Sequence, residues 1–422
     1  MSSTSTTIDV ALDVPTGYWT RERKTGAVLA VIAVLGTILF TVRASGAPAK
    51  FFLGETVSGA SFAINGVAGA LVFGLLSVAA ALALLVTGKR YGLWVSLALL
   101  CFIISAMCWL VSAREGSVAL GTLSAVTIAA ALPLIFGSLS GVLCERTGVV
   151  NVAIEGQLLT GAFLAALVGT VTGNWFAALI GAAIGGALIS ALLAVLSIRY
   201  LVDQVVAGIV LNAFALGLTG YLYEQLMQKN QGQFNDPPRL PVWKIPGLSE
   251  IPVIGPALFR GTFLTYLAFI FVIVVTVALF RTRWGLRTRA VGEHPAAADT
   301  VGVRVLGLRY TNVLLAGLVA GLGGAYFSMM ATTGFTKNVT GGAGFIALAA
   351  MIFGRWHPVG AFLAALFFGF AGGLSTLLQI LGTEIPREFI AMLPYVATIL
   401  AVAGLVGRVR APAADGKPYV KG

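Results

Sequence analysis

The sequence predicts an all-α polytopic membrane protein of about twelve transmembrane segments (ten to twelve), some broken or half-length, with both termini cytoplasmic. Composition is the first reason. Of 422 residues, 58% are hydrophobic and only 10% charged, which cannot clothe a water-facing surface. Pattern is the second: stretches such as 26–42 are continuously apolar over helical lengths, without the alternation of a transmembrane barrel strand. Charge placement is the third. The net charge of +11 resides in connecting loops, so it reports membrane topology rather than a nucleic-acid partner.

In chain order, apolar runs place spans at 26–42, 61–86, 91–111, 119–143, 152–171, 175–197, 203–226, 263–280, 310–331, 343–353, 358–381 and 389–407. Residues 1–25 read as a cytoplasmic tail and not a signal peptide, because acidic residues precede Arg21, Arg23 and Lys24 and no small-residue cleavage site follows. An even span number returns the chain to its starting side. Terminal-side segments carry eighteen Lys and Arg, six of them in residues 281–309, against nine on the other side, so both termini belong in the cytoplasm. Residues 410–422 form a second cytoplasmic tail.

The run at 343–353 is too short. Its eleven residues rise only about 16 Å where the hydrocarbon core needs roughly 30 Å. Gly341, Gly342 and Gly344 precede or open it, consistent with a half-helix at membrane depth; a full helix from near Gly334 is the alternative. Glycines four apart, as at 181/185 and 317/321, allow close helix packing. The heptapeptide GAFLAAL occurs at 161–167 and again at 360–366, a hint of a duplicated helical unit.

Ionisable chemistry inside the spans is scarce. Cys101, Cys108 and Cys144 lie in or at the ends of apolar runs with no metal-ligand spacing, and the two histidines, His294 and His357, both adjoin prolines, so neither metal nor catalytic residues are expected. Glu155 is the one acidic candidate. It follows Asn151 by one helical turn, and either bonds backbone amides or Arg146, or serves transport. Asn65, Asn212 and Gln379 are amides within apolar runs that can glue helices or line a path for a neutral substrate. Asn65, Asn151, Glu155, Gln157 and Asn212 are the candidate pathway residues.

Residues 281–309, RTRWGLRTRAVGEHPAAADTVGVRVLGLR, join six arginines to a Gly-Glu-His-Pro break. Pro295 can open a short helix at its first turn, and Glu293 and Asp299 complement nearby arginines. An ordinary positive loop and a docking segment are both consistent with this composition.

Three stretches, SGVLCERTGVVNVAIEGQLLTGAF at 140–163, RTRWGLRTRAVGEHPAAADTVGV from 281 and GAGFIALAAMIFGRWHPVGAF at 342–362, together resemble permease subunits of bacterial ATP-binding-cassette importers. The likeness is to the nucleoside and simple-sugar branch, related to ribose and branched-chain amino-acid permeases. It covers about 119–409 and leaves the helices of 26–118 as an addition to the core. It implies a permease in the bacterial cytoplasmic membrane, paired with a second permease in a heterodimer. The other implied partners are a cytoplasmic ATPase and an external substrate-binding lipoprotein. On this resemblance 281–309 is the coupling loop, with Arg287, Arg289, Gly292, Glu293, Pro295, Ala296 and Ala297 at the ATPase contact. The chain itself then binds no cofactor and is no enzyme. ATP is used by the partner, in keeping with the lack of a GxxxxGK[ST] phosphate loop in the sequence. An ion-coupled secondary transporter of a small polar solute is the competing reading.

Overall fold

The computed structural model describes residues 19–56, 60–113, 116–380, 389, 390, 392, 394, 395 and 410–421. The tail before residue 19 and most of the span expected at 389–407 lie outside them. Among the described residues ten helices are long and apolar enough to cross a membrane, and Ala343–Phe353 is a shorter apolar helix. The chain divides into two compact units, one of residues 1–52 and 60–118, the other of 53–59 and 119–422.

The first unit is a three-helix cluster. Helix α1 (Arg21–Arg43), α2 (Gly66–Thr87) and α3 (Tyr91–Ser112) pack together, and strands β1 (Pro48–Phe52) and β2 (Ser61–Asn65) form an antiparallel hairpin between α1 and α2. The span expected at 61–86 is therefore divided. Asn65 causes the division: its Oδ1 accepts the Ala68 amide at 3.0 Å and starts α2 one residue later. Buried hydroxyls clasp α2 to α3, with Ser77 Oγ donating to the Ala98 carbonyl and Ser105 Oγ to that of Ala70, both at 2.7 Å. Strand β3 (Ser117–Ala119) leads out of this unit.

The second unit is built around α4 (Leu120–Glu145), whose C-terminal half is buried almost throughout. Around it lie α5 (Ile154–Thr172), α6 (Trp175–Ala194), α7 (Gln204–Leu222), the one-turn α8 (Gln231–Phe234) and, after strands β4 (Val242–Lys244) and β5 (Arg260–Thr262), α9 (Phe263–Arg281). Helices α10 (Arg283–Glu293) and α11 (Pro295–Thr300) form a cap at one end of the bundle. Then α12 (Val305–Tyr326), α13 (Ala343–Phe353) and α14 (Pro358–Ile380) complete the described helices. Phe136, Leu139, Ile154, Leu158 and Leu193 are among its core side chains.

Small residues set the helix spacing. A Cβ on Gly186 would lie 2.1 Å from the Gly317 carbonyl oxygen, and one on Gly321 2.1 Å from that of Ala182, so α6 and α12 touch backbone to backbone. The two GAFLAAL copies sit differently. Gly161 is two turns into α5 and faces Gly321, whereas Gly360 is in the first turn of α14 and faces Gly354.

The half-helix is present as α13. Gly341 and Gly342 take φ of +52° and +87°, a left-handed path that glycine adopts without penalty, and helical geometry begins at Ala343.

Candidate functional site

The break before α13 leaves backbone N–H groups without intrahelical partners. Glu155, in the first turn of α5, meets that need. Its Oε1 accepts the Thr340 hydroxyl at 2.5 Å and the Gly342 amide at 2.8 Å, and its Oε2 accepts the Gly344 amide at 2.6 Å. The carboxylate thus caps a helix start 185 to 189 residues away in sequence, with the helix dipole adding attraction. Arg146 is not its partner.

Asn151 and Gln157 form a second closed set. Gln157 Nε2 donates to Asn151 Oδ1 at 3.0 Å and to Ser190 Oγ at 2.8 Å, while Asn151 Nδ2 donates to Ser140 Oγ and Gln157 Oε1, both at 3.1 Å. All four side chains are fully buried, and they tie α4, α5 and α6 together. Asn212, in α7, accepts the Gly156 amide at 2.8 Å and donates to the Val152 carbonyl at 2.9 Å. Both ends of its amide thus bond backbone around the start of α5. Asn65 caps α2 in the first unit. In the second unit Asn151, Glu155, Gln157 and Asn212 thus bond backbone or one another, and in the first Asn65 bonds backbone.

The arginine-rich segment folds into the α10–α11 cap. Pro295 occupies the first turn of α11, and His294 Nδ1 accepts the Ala297 amide at 3.1 Å as its N-cap. Gly292 and Glu293 close α10 instead of joining the short helix, because His294 ends α10 and begins α11. Arg287, Glu293, Ala296 and Ala297 are exposed. Arg289 is half-buried, its guanidinium 5.0 Å above the Phe280 ring. Gly292 faces inward: a Cβ there would lie 2.3 Å from the Arg146 carbonyl oxygen.

Sequence reasoning missed two buried titratable side chains beneath this cap. Arg309, counted among the loop arginines, is 2% exposed within α12 and donates through Nε to the Thr147 carbonyl at 3.1 Å. Glu145, the last residue of α4, is 3% exposed, so Glu155 is not the only acidic group buried in the spans. Its Oε2 accepts the Trp356 indole N–H at 2.5 Å and its Oε1 the Asn151 amide at 3.3 Å. Trp356 and Arg355 hold φ of +53° and +58°, a strained backbone fixed by that indole bond and by Arg146 Nε, which donates to the Trp356 carbonyl at 2.8 Å. The three stretches that carried the family resemblance thus meet at Arg146. The available signal was a lone acid and a lone arginine at opposite span ends, which sequence spacing cannot pair.

His357, between α13 and α14, lies 4.7 Å from the Phe280 ring at a 33° tilt, and burial with the nearby Arg146 charge holds its imidazole below the usual histidine range.

A half-helix capped within a glycine-seamed bundle defines a multi-pass membrane protein of transporter type. Residues 123–402 match the family described as branched-chain amino acid transport system / permease component, and the chain belongs to it. It is 43% identical over 305 residues to the guanosine ABC transporter permease protein NupQ of Bacillus subtilis, covering 70% of this chain and 95% of that one. It is 44% identical to the nucleoside ABC transporter permease protein NupC of Lactococcus lactis, covering 68% and 93%. The putative glucose ABC transporter permease protein TsgC13 of Haloferax volcanii is 37% identical, covering 61% and 78%. No solved structure matches the chain significantly. The family match begins after the first unit.

Proposed function

We propose that this chain is the permease subunit of an ATP-driven importer that carries nucleosides inward across a bacterial plasma membrane, working with a second permease, a cytoplasmic ATPase and an external binding lipoprotein. It binds no cofactor of its own in this reading, and ATP is consumed by the partner ATPase. The observation that carries it is the α10–α11 cap, whose inner residue Gly292 is seated on the Arg146 carbonyl while Arg287, Ala296 and Ala297 are exposed. A rigid outward-facing helix pair on the Arg-rich side suits an ATPase contact and transmits its movement to α4. Nucleosides are favoured over sugars by the two relatives of higher identity.

The excess of basic residues on the cap side supports a cytoplasmic cap. Cysteine labelling tests this at Val301, which is 79% exposed; Thr288, in the same loop, is fully buried and would stay unlabelled from either side. Labelling of Val301→Cys in intact cells by an impermeant reagent would overturn the orientation.

The competing secondary carrier needs a titratable group free to exchange an ion, and the Glu155 oxygens are already bonded to α13. In vesicles, the chain alone should accumulate no guanosine, uridine or adenosine, and uptake should require the partners and ATP. Gradient-driven accumulation by the chain alone, abolished by an ionophore, would make the carrier reading correct.

A further inference from the structure

Residues 410–421 do not hang free beneath the bundle. Their turn, closed by the Asp415 amide on the Pro412 carbonyl at 3.0 Å and the Lys417 amide on that of Ala414 at 3.1 Å, lies against the cap. The Ala414 amide donates to the Gly292 carbonyl at 2.8 Å and the Ala413 amide to Glu293 Oε2 at 3.3 Å. Lys421 Nζ lies 3.8 Å from Asp299 Oδ1, and Tyr419 hydrogen-bonds Asp299 while packing on Val291, Ala298 and Val305. The other side of the same turn grips the bundle. Arg309 Nη1 donates to the Lys417 carbonyl at 3.1 Å, and the Asp415 carboxyl shares a hydrogen bond with that of Glu145. Gly148, after α4, approaches so closely that a Cβ would sit 2.9 Å from the Ala414 oxygen.

One segment therefore touches α10, α11, α12, the end of α4 and the turn that follows it. We propose that residues 410–421 are a clamp that fastens the coupling cap to α4 and α12, with Asp415, Lys421 and Ala414 as its positioning residues, so that cap and bundle move as one body. This rests on the reading of α10–α11 as the ATPase contact. The strap engages the exposed Glu293 carboxylate and leaves Ala296 and Ala297 uncovered.

The test measures ATP hydrolysed per nucleoside imported by the complete importer in proteoliposomes. A chain ending at Arg410 should raise that ratio by roughly tenfold, having lost the strap's hydrogen bonds to cap and bundle. Lys421→Glu, which sets two acids together at Asp299, should raise it about threefold. Joining Lys421→Cys to Asp299→Cys with a short bis-maleimide should keep the ratio normal, because it makes the strap's contact with the cap permanent. The native cysteines are buried, so the introduced pair is the reactive one. An unchanged ratio in the shortened chain, or loss of uptake on joining 421 to 299, would overturn the clamp. If the shortened chain fails to assemble, Lys421→Glu decides by the same ratio. Ala296→Asp is measured alongside: should it leave the ratio normal, the coupling assignment itself fails, whereas a raised ratio there with normal strap variants removes the clamp alone.

Discussion

Gly292 is seated so tightly on Arg146 that the nearest atom to any Cβ it might carry is the Arg146 carbonyl oxygen, at 2.3 Å. Backbone cannot yield as a flexible side chain can. Gly292→Ala should destabilise the protein by about 1–3 kcal/mol, the range of overpacking, seen as a lower thermal midpoint in detergent. Ala296→Asp, on the exposed face, should stay within about 0.5 kcal/mol of the parent yet raise the ATP used per nucleoside. Equal thermal losses in both variants would remove the distinction between an inner and an outer face. Bulk at Gly292 is thus a packing lesion first, although the family resemblance sets Gly292 at the ATPase contact.

Glu155→Gln replaces one acceptor oxygen of the α13 cap with an amide donor facing donors. The expected cost is about 2 kcal/mol, and uptake should fall only as far as the amount of folded protein falls. Full stability with lost uptake would return Glu155 to a transport role.

Asn212→Leu strands the buried Gly156 amide and the partly buried Val152 carbonyl around the start of α5. A loss of about 1–3 kcal/mol should appear in unfolding, with uptake falling in proportion. A stable but inactive variant would instead place Asn212 on the substrate path.

Docking of the strap should weaken as pH rises. Burial raises the Asp415 carboxyl from its ordinary value of 3.8 to about 7, despite hydrogen bonds from Glu145 and the Gly416 amide and the charge of Arg309, which oppose the rise. Docking therefore takes up a proton wherever the free carboxyl is ionised and the docked one is not. The favourable state is complete below about pH 4 and is lost as pH climbs through about 7. Alkylation of Ala414→Cys, corrected by an exposed Val301→Cys, should quicken roughly tenfold between pH 6 and 8. Asp415→Asn should flatten the profile; a flat profile in the parent would contradict the linkage.

The helices were largely legible because apolar length is a local property: the runs read at 343–353 and 358–381 became α13, Ala343–Phe353, and α14, Pro358–Ile380. Proline and glycine punctuation placed α11 and the break before α13 for the same reason. The site was less legible. Asn212 stands out in the sequence as an amide within an apolar run, but whether such an amide faces a path or a neighbour depends on groups up to 60 residues away. Arg309 was misjudged outright, since an arginine near a span end looks alike whether it meets water or the Thr147 carbonyl.

The cap that Glu155 provides has a cost in time. At roughly 5–20 residues per second, synthesis takes about 10–40 seconds to pass from Glu155 to Gly344, the 189 residues that separate the acid from its amide. Through that interval α5 carries an acid whose eventual donors have not yet left the ribosome. The nascent helix must wait near water or beside the insertion machinery, and the bundle can close only when α13 arrives.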